Sequence, residues 1–334
     1  MGGNALKNTV TRRYSAAEYH SLVGEVIRKS NTNIDICQMD VIPSYKCKDS
    51  FGDADILYST FSGKPISVDQ IKKIFGPYQI VVNGEVISFD FMQFQIDLIH
   101  SPMENYDYAL SYFSYNDLGN LIGKLTKRFN LKHGHQGLFL PLYDGENIFE
   151  NVQVTLDHSK TLEFVGLTAK RFDAGFDTLD DIFNFVSQSP QYNPELYKLE
   201  NISSIGRIRD RKRDTYKKFL EFGENYTGTV IPYQKNFDKT VFLQQIFDSF
   251  PDAYERFKSA VQRLTVQRAV KEKFNGQLVS ELTQLSGKEL GVFMKKLKQD
   301  FNFQPEVLLY LTNEKILVNI QNFFKLHMTS AHEQ

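Results

Sequence analysis

The chain has 334 residues, a formal net charge of −1 and two cysteines, Cys37 and Cys47. That length predicts two domains or three, with enough Phe, Tyr and aliphatic residues for a sizeable core. Two cysteines exclude a disulfide framework or a Cys-rich zinc site and suit a reducing, cytoplasm-like compartment; no apolar run is long enough to span a membrane, and no apolar signal region opens the chain.

In chain order, Ser15 and Glu18 have the spacing of a capping box. They open a helix whose apolar face is Tyr19, Leu22, Val23, Val26 and Ile27. A short strand is predicted over 34–42. The stretch from Pro43 to Leu57 follows, with Asp53 and Asp55 separated only by Ala54. In a strand, residues i and i+2 share a face, so both carboxylates point one way. Like charges held that close repel unless a cation sits between them, and hard oxygen ligands suit Mg²⁺, with Mn²⁺ as the substitute. A solvated strand end is the alternative reading of the pair.

A short helix is predicted from Pro65 to about Phe75, ended by Gly76 and Pro77. Strands over 78–82 and 86–91 flank Asn83 and Gly84, a strong hairpin-turn signal. The segment 91–100 reads as one strand with Gln93, Gln95 and Asp97 on one face and Phe94, Ile96 and Leu98 on the other. A carboxylate in so apolar a strand needs a partner. If this strand lies beside the one carrying Asp53 and Asp55, three carboxylates converge, as a two-metal phosphoryl-transfer site requires.

Pro43-Ser44, then Gly52-Asp53-Ala54-Asp55, then Gln95-Ile96-Asp97 resemble the palm of family X (DNA polymerase beta-like) polymerases and, more broadly, the nucleotidyltransferase fold. Pro43 stands where that family has Gly. The resemblance implies that Asp53, Asp55 and Asp97 bind two Mg²⁺ ions, and that Ser44, Lys46, Lys48 and Gly52 hold a nucleoside triphosphate. It extends to Tyr112-Phe113, Asp117 and Asn120. These look like the start of the nucleotide-selecting subdomain, with the aromatic pair at the sugar and Asp117 and Asn120 near the base. Lys124 falls where a basic residue approaches the template strand. Read from the residues alone, a core aromatic pair is the favoured reading of Tyr112 and Phe113. A helix over 116–129 and a strand over 137–142 follow in the family's order. His133 and His135 lack a third ligand nearby and read as a turn or strand-edge pair.

Beyond residue 150 the chain reads as mostly helical. Thr178 caps a helix running to Val186. The most basic run holds Arg207, Arg209, Arg211, Lys212 and Arg213, with Tyr216 and Phe219 interleaved. A single helix would place Arg209, Lys212, Arg213 and Tyr216 on neighbouring positions. It is either a phosphate-contacting surface or a solvated helix face. Further helices are predicted over 238–248 and 252–271. Gly276, Gly287, Leu290 and Gly291 weakly resemble the tail of tRNA nucleotidyltransferases and poly(A) polymerases, implying nucleic-acid contacts at Gly287, Lys288 and Gly291. A chance helical hairpin is the alternative. One final helix is expected over 304–326.

The expected class is α+β, a nucleotidyltransferase-fold mixed sheet with helices in the N-terminal half, then a mostly helical C-terminal region. Its expected parts are a catalytic domain over 1–150, a basic connecting region over 151–235 and a C-terminal domain over 236–334. The expected reaction moves a nucleoside monophosphate from an NTP or dNTP to a nucleic-acid 3′-hydroxyl, on DNA or on tRNA or other RNA. The alternatives are a catalytically silent nucleic-acid-binding module, or transfer to a protein or small molecule.

Overall fold

The computed structural model describes residues 5–233, 238 and 240–329. The chain forms two compact units, one of residues 1–141 with 153–253, the other of residues 142–152 with 254–334. The expected break at 150 is therefore replaced. Most of the basic connecting region belongs with the N-terminal half, and a hairpin tip belongs with the C-terminal unit.

In the first unit, β1 (Tyr14–Ser15) leads into α1 (Ala16–Asn33), where Ser15 and Glu18 form the capping box. Then come β2 (Ile36–Val41), β3 (Ser50–Phe51) and β4 (Asp53–Thr60). α2 (Val68–Phe75) is opened by a second capping box, of Ser67 and Gln70, and closed by left-handed Gly76. β5 (Ile80–Asn83), β6 (Val86–Phe91) and β7 (Phe94–His100) follow. The main sheet has the order β2-β4-β7-β6-β5. β4 and β7 run parallel and the other neighbours antiparallel, so the sheet is mixed. α2 and the β5–β6 hairpin lie in the connection that a parallel pair requires.

The alternation in β4 and β7 sorts side chains onto two faces. Ala54, Ile56, Tyr58, Ile96 and Leu98 pack with Tyr19, Leu22, Val23 and Val26 of α1. On the opposite face, Leu57 and Ile99 are covered by Tyr106 and Ala109 of α3 (Tyr106–Phe113). Asp53, Asp55 and Asp97 lie on this second face, one to two pleats before the ground that α3 covers.

The segment 91–100 is not one strand. Phe91 pairs with Phe94 across a two-residue turn, and Met92 and Gln93 both have left-handed backbones. Gln93 therefore leaves the Asp97 face. Two non-glycine residues in that conformation are held by distant partners: the Tyr14 hydroxyl donates to Met92 O at 2.5 Å, and Arg12 N donates to Gln93 O at 2.9 Å.

The unit continues with α4 (Leu118–Lys127), the short β8 (Lys132–Gly134), then β9 (Gly137–Asp144) and β10 (Asn147–Thr155), whose outer parts fall in the second unit. α5 (His158–Phe164), α6 (Ala169–Asp173) and α7 (Leu179–Ser187) follow, α7 capped by Thr178. The basic run folds as two helices, α8 (Ser204–Asp210) and α9 (Asp214–Glu224), broken over 211–213. Tyr216 and Phe219 are buried with Leu121, Leu125 and Phe183, so they are core residues and not exposed stacking groups. α10 (Leu243–Ser249) closes the unit, and the division falls early in α11 (Pro251–Lys273).

In the second unit, Arg263 forms a forked pair with Glu150, and Arg268 pairs with Asp144 at 2.9 Å. α12 (Gly276–Thr283) and α13 (Gly287–Leu297) make the expected helix pair, and Gly287, Lys288 and Gly291 are exposed. The final helix is split into α14 (Pro305–Tyr310) and α15 (Asn313–Thr329). Lys273 Nζ donates to Leu309 O at 2.7 Å and Leu311 O at 3.2 Å, satisfying carbonyls at the end of α14.

Candidate active site

The parallel register of β4 and β7 sets Asp53 beside Gln95 and Asp55 beside Asp97. Asp53, Asp55 and Asp97 each offer a carboxylate oxygen, and these oxygens lie within 4.8 Å of one another. Asp97 is 1% exposed, whereas Asp53 and Asp55 are half-buried. Burial, and then the charge of Asp53 followed by that of Asp97, pushes the Asp55 carboxyl well above the usual carboxylate range. Burial raises Asp97 to about 6, against hydrogen bonds from Ser88 and Gln95 that favour its charged form. Such a cluster could hold a cation: all its ligand atoms are hard oxygens, and positive charge would relieve its mutual repulsion.

The loop from Pro43 to Lys48 leaves β2 beside this cluster, because Ile42 N donates to Asp55 O at 3.0 Å. Three backbone bonds fix it: Tyr115 N to Pro43 O, Lys46 N to Phe176 O and Cys47 N to Asp177 O. Ser44 therefore sits in an ordered loop two residues beyond the Asp55 contact. Lys48 is half-buried, with its Nζ 4.5 Å from the Phe51 ring centre. Desolvation pushes its ammonium down, and Asp53 and Asp55 draw it back up, which places its charge in the field of the cluster. Lys46 is exposed and pairs with Asp177 at 2.9 Å. Gly52 joins β3 to β4, and a side chain there would approach Arg13 Nη1 at 3.1 Å. Arg13, which had no local sequence signal, is a further cation at this edge; it donates to Ser50 O at 2.8 Å.

Tyr112 and Phe113 end α3. Their rings meet edge to face, Phe113 stacks on His135, and Tyr112 lies 5.0 Å from His133. Phe113 also packs against the Leu57–Ile99 cluster, on the sheet face that carries the carboxylates. His133 and His135 diverge, as a strand-edge pair does. Nδ1 of the first donates to Gly119 O, and the second pairs with Glu85 at 3.0 Å.

Asp117, Asn120 and Lys124 have protein partners some ninety residues away. Arg213 donates to Asp117 and Arg209 to Asn120. The Asp210 carboxylate is fully buried; it accepts from Lys124 at 2.9 Å, from Arg209 Nε at 2.7 Å and from Asn120 at 3.3 Å. This corrects the expectation for Lys124: its ammonium is buried and paired, and is not displayed towards a template strand. It also divides the basic run. Arg209 and Arg213 fasten α8 and its following turn to α4, whereas Arg207, Arg211 and Lys212 are exposed. Asp210 was hidden in the sequence because it reads as a surface acid among arginines.

No protein-family model matches the chain, and no curated protein matches its sequence.

Proposed function

We propose that the chain is a metal-dependent nucleotidyltransferase, moving a nucleoside monophosphate from an NTP or dNTP to a nucleic-acid 3′-hydroxyl with release of pyrophosphate. The observation that carries this reading is the convergence of Asp53, Asp55 and Asp97 within 4.8 Å on one face of a mixed sheet, beside an ordered loop that bears Ser44. The donor set fits Mg²⁺ or Mn²⁺, being three carboxylates with no softer ligand in the group. Two such ions, held by Asp53, Asp55 and Asp97, would supply activation of the attacking hydroxyl and neutralisation of charge on the phosphoryl group.

The chain's own residues have separable parts in this reading. Ser44 and Lys48 offer a hydroxyl donor and a positive charge to the triphosphate. Lys46 reaches a phosphate by exchanging Asp177, an exposed partner whose net hold on it is small. Phe113 and Tyr112 border the sugar, and Asp117 and Asn120, braced by Arg213 and Arg209, form a rigid polar wall for the base. Exposed Arg207, Arg211 and Lys212 offer charge to an acceptor's phosphates.

The test supplies labelled dNTPs and NTPs with Mg²⁺ or Mn²⁺ to DNA primers and to tRNA. Extension of either acceptor, abolished by Asp55→Asn, supports the reading. Label appearing on protein with neither nucleic acid extended would move the acceptor to protein. No transfer to any of them would sink the enzyme reading.

A further inference from the structure

The three carboxylates leave Gln95 unexplained. It precedes Asp97 by two residues on the same face of β7, stands beside Asp53 in the β4 register and is 1% exposed. Its Nε2 donates to both Asp97 oxygens, at 2.9 and 3.0 Å. Its Oε1 accepts from Ala5 N at 3.1 Å. The two contacts fix which way the amide points. Turned over, it would face its carbonyl oxygen to a carboxylate and its NH₂ group to an N–H. Of the four lone-pair sites on the Asp97 carboxylate, two accept from Gln95 and one from Ser88, so the amide holds the carboxylate without filling it.

We propose that Gln95 is a positioning residue for the cation site. Its amide is oriented by the Ala5 main chain and holds Asp97 in the rotamer that brings an oxygen within 4.8 Å of Asp53 and Asp55. The segment before β1 thereby becomes part of the site's support, although it contributes no ligand. This inference rests on the cation reading of the cluster. Ligand-orienting partners of this kind typically change metal affinity by about 10–100-fold when removed. The reason is that an unheld carboxylate must be ordered again each time a cation binds.

The experiment measures Mn²⁺ binding to the full chain by electron paramagnetic resonance, together with the thermal midpoint in EDTA. Gln95→Met keeps the length and removes the donor; it is expected to bind Mn²⁺ about 10-fold or more weakly. Ala5→Pro removes the N–H and leaves Gln95 in place. It is expected to weaken binding in the same direction by a smaller factor, with an EDTA midpoint close to wild type. A loss of affinity in Ala5→Pro at unchanged midpoint is what a merely structural role would not produce. Wild-type affinity in a folded Gln95→Met protein overturns the inference. If that variant does not fold, wild-type affinity in Ala5→Pro overturns it. A wild-type protein that binds Mn²⁺ no better than Asp55→Asn overturns the cation reading itself, and Gln95's role with it.

Discussion

Asp55 and Asp97 stand directly beside one another on parallel neighbours β4 and β7, with side chains on the same face. Nothing in strand packing rewards that placement. Two carboxylates facing each other in a partly desolvated site oppose folding until a cation joins them. Asp97→Asn is therefore expected to separate stability from function. The cation-free variant should unfold at a temperature equal to or above wild type, while nucleotidyl transfer falls by roughly 10²-fold or more, as loss of a metal's charge stabilisation implies. Thermal melts in EDTA beside transfer assays check this. A variant that is clearly less stable than wild type and fully active would show the cluster to be structural.

The pH dependence has a definite sign. Asp97 titrates at about 6 in the folded chain, against 3.8 without the fold's influence. Between those values the native state holds more protons than the unfolded one, so the cation-free protein loses stability as pH rises through about 6. Cation binding needs the deprotonated form, so affinity rises over the same interval. The difference in melting temperature between Mg²⁺ and EDTA is thus expected to be small at pH 5 and larger at pH 7.5. Asp97→Asn should weaken that dependence, with Asp55, raised chiefly by burial, supplying what remains. An equal Mg²⁺ effect at both pH values would contradict the burial of this carboxylate as the cause.

Much of the site could be read from short-range pattern because strand alternation is a local property. Asp53 and Asp55 at i and i+2, and Asp97 between apolar neighbours, already fix which residues share a face; the parallel register then supplies the meeting. The capping signals at Ser15 and Thr178 are local in the same way and mark real helix starts. What the pattern hid depends on distant partners. The turn at Met92 and Gln93 carries no glycine and is held by Tyr14 and Arg12 from about eighty residues away. Lys124 is chemically a surface residue until Asp210 is known to meet it. The break after α14 lies in a sequence whose periodicity runs on, and Lys273, from another helix, satisfies its end.

Gly119 of α4 lies directly against the main chain of Tyr112 in α3. A β-carbon there would lie 2.1 Å from Tyr112 O, a backbone atom that cannot swing aside. Gly119→Ala is expected to cost about 1–3 kcal/mol in urea unfolding, the usual range for forced overpacking. Because the strained atom belongs to Tyr112, nucleotide binding should weaken as well. A neutral substitution would mean that the helices part easily and that Tyr112 is not held by this contact.

Asp210 is the acceptor shared by Lys124, Arg209 and Asn120, and it is fully buried. Removing it strands a buried ammonium, so Asp210→Ala is expected to destabilise by about 3–5 kcal/mol. Lys124→Met leaves Asp210 with Arg209 and should cost less. Denaturant unfolding of both variants and of the double variant measures the coupling. Additive losses would show that the buried charges act independently.

The same interactions divide the basic run into a paired part and an exposed part, and salt dependence can separate them. Arg207, Arg211 and Lys212 are exposed, so replacing all three with Gln should weaken nucleic-acid binding and flatten its dependence on salt. For every phosphate no longer neutralised, the slope of log affinity against log salt should shrink by roughly 0.7–0.9. Arg213→Gln should instead lower stability through Asp117 and leave the slope nearly unchanged. A steeper effect from Arg213 than from the exposed trio would place the phosphate-binding face on the α4 side of the segment. In that case the pairing with Asp117 would have to open when nucleic acid binds.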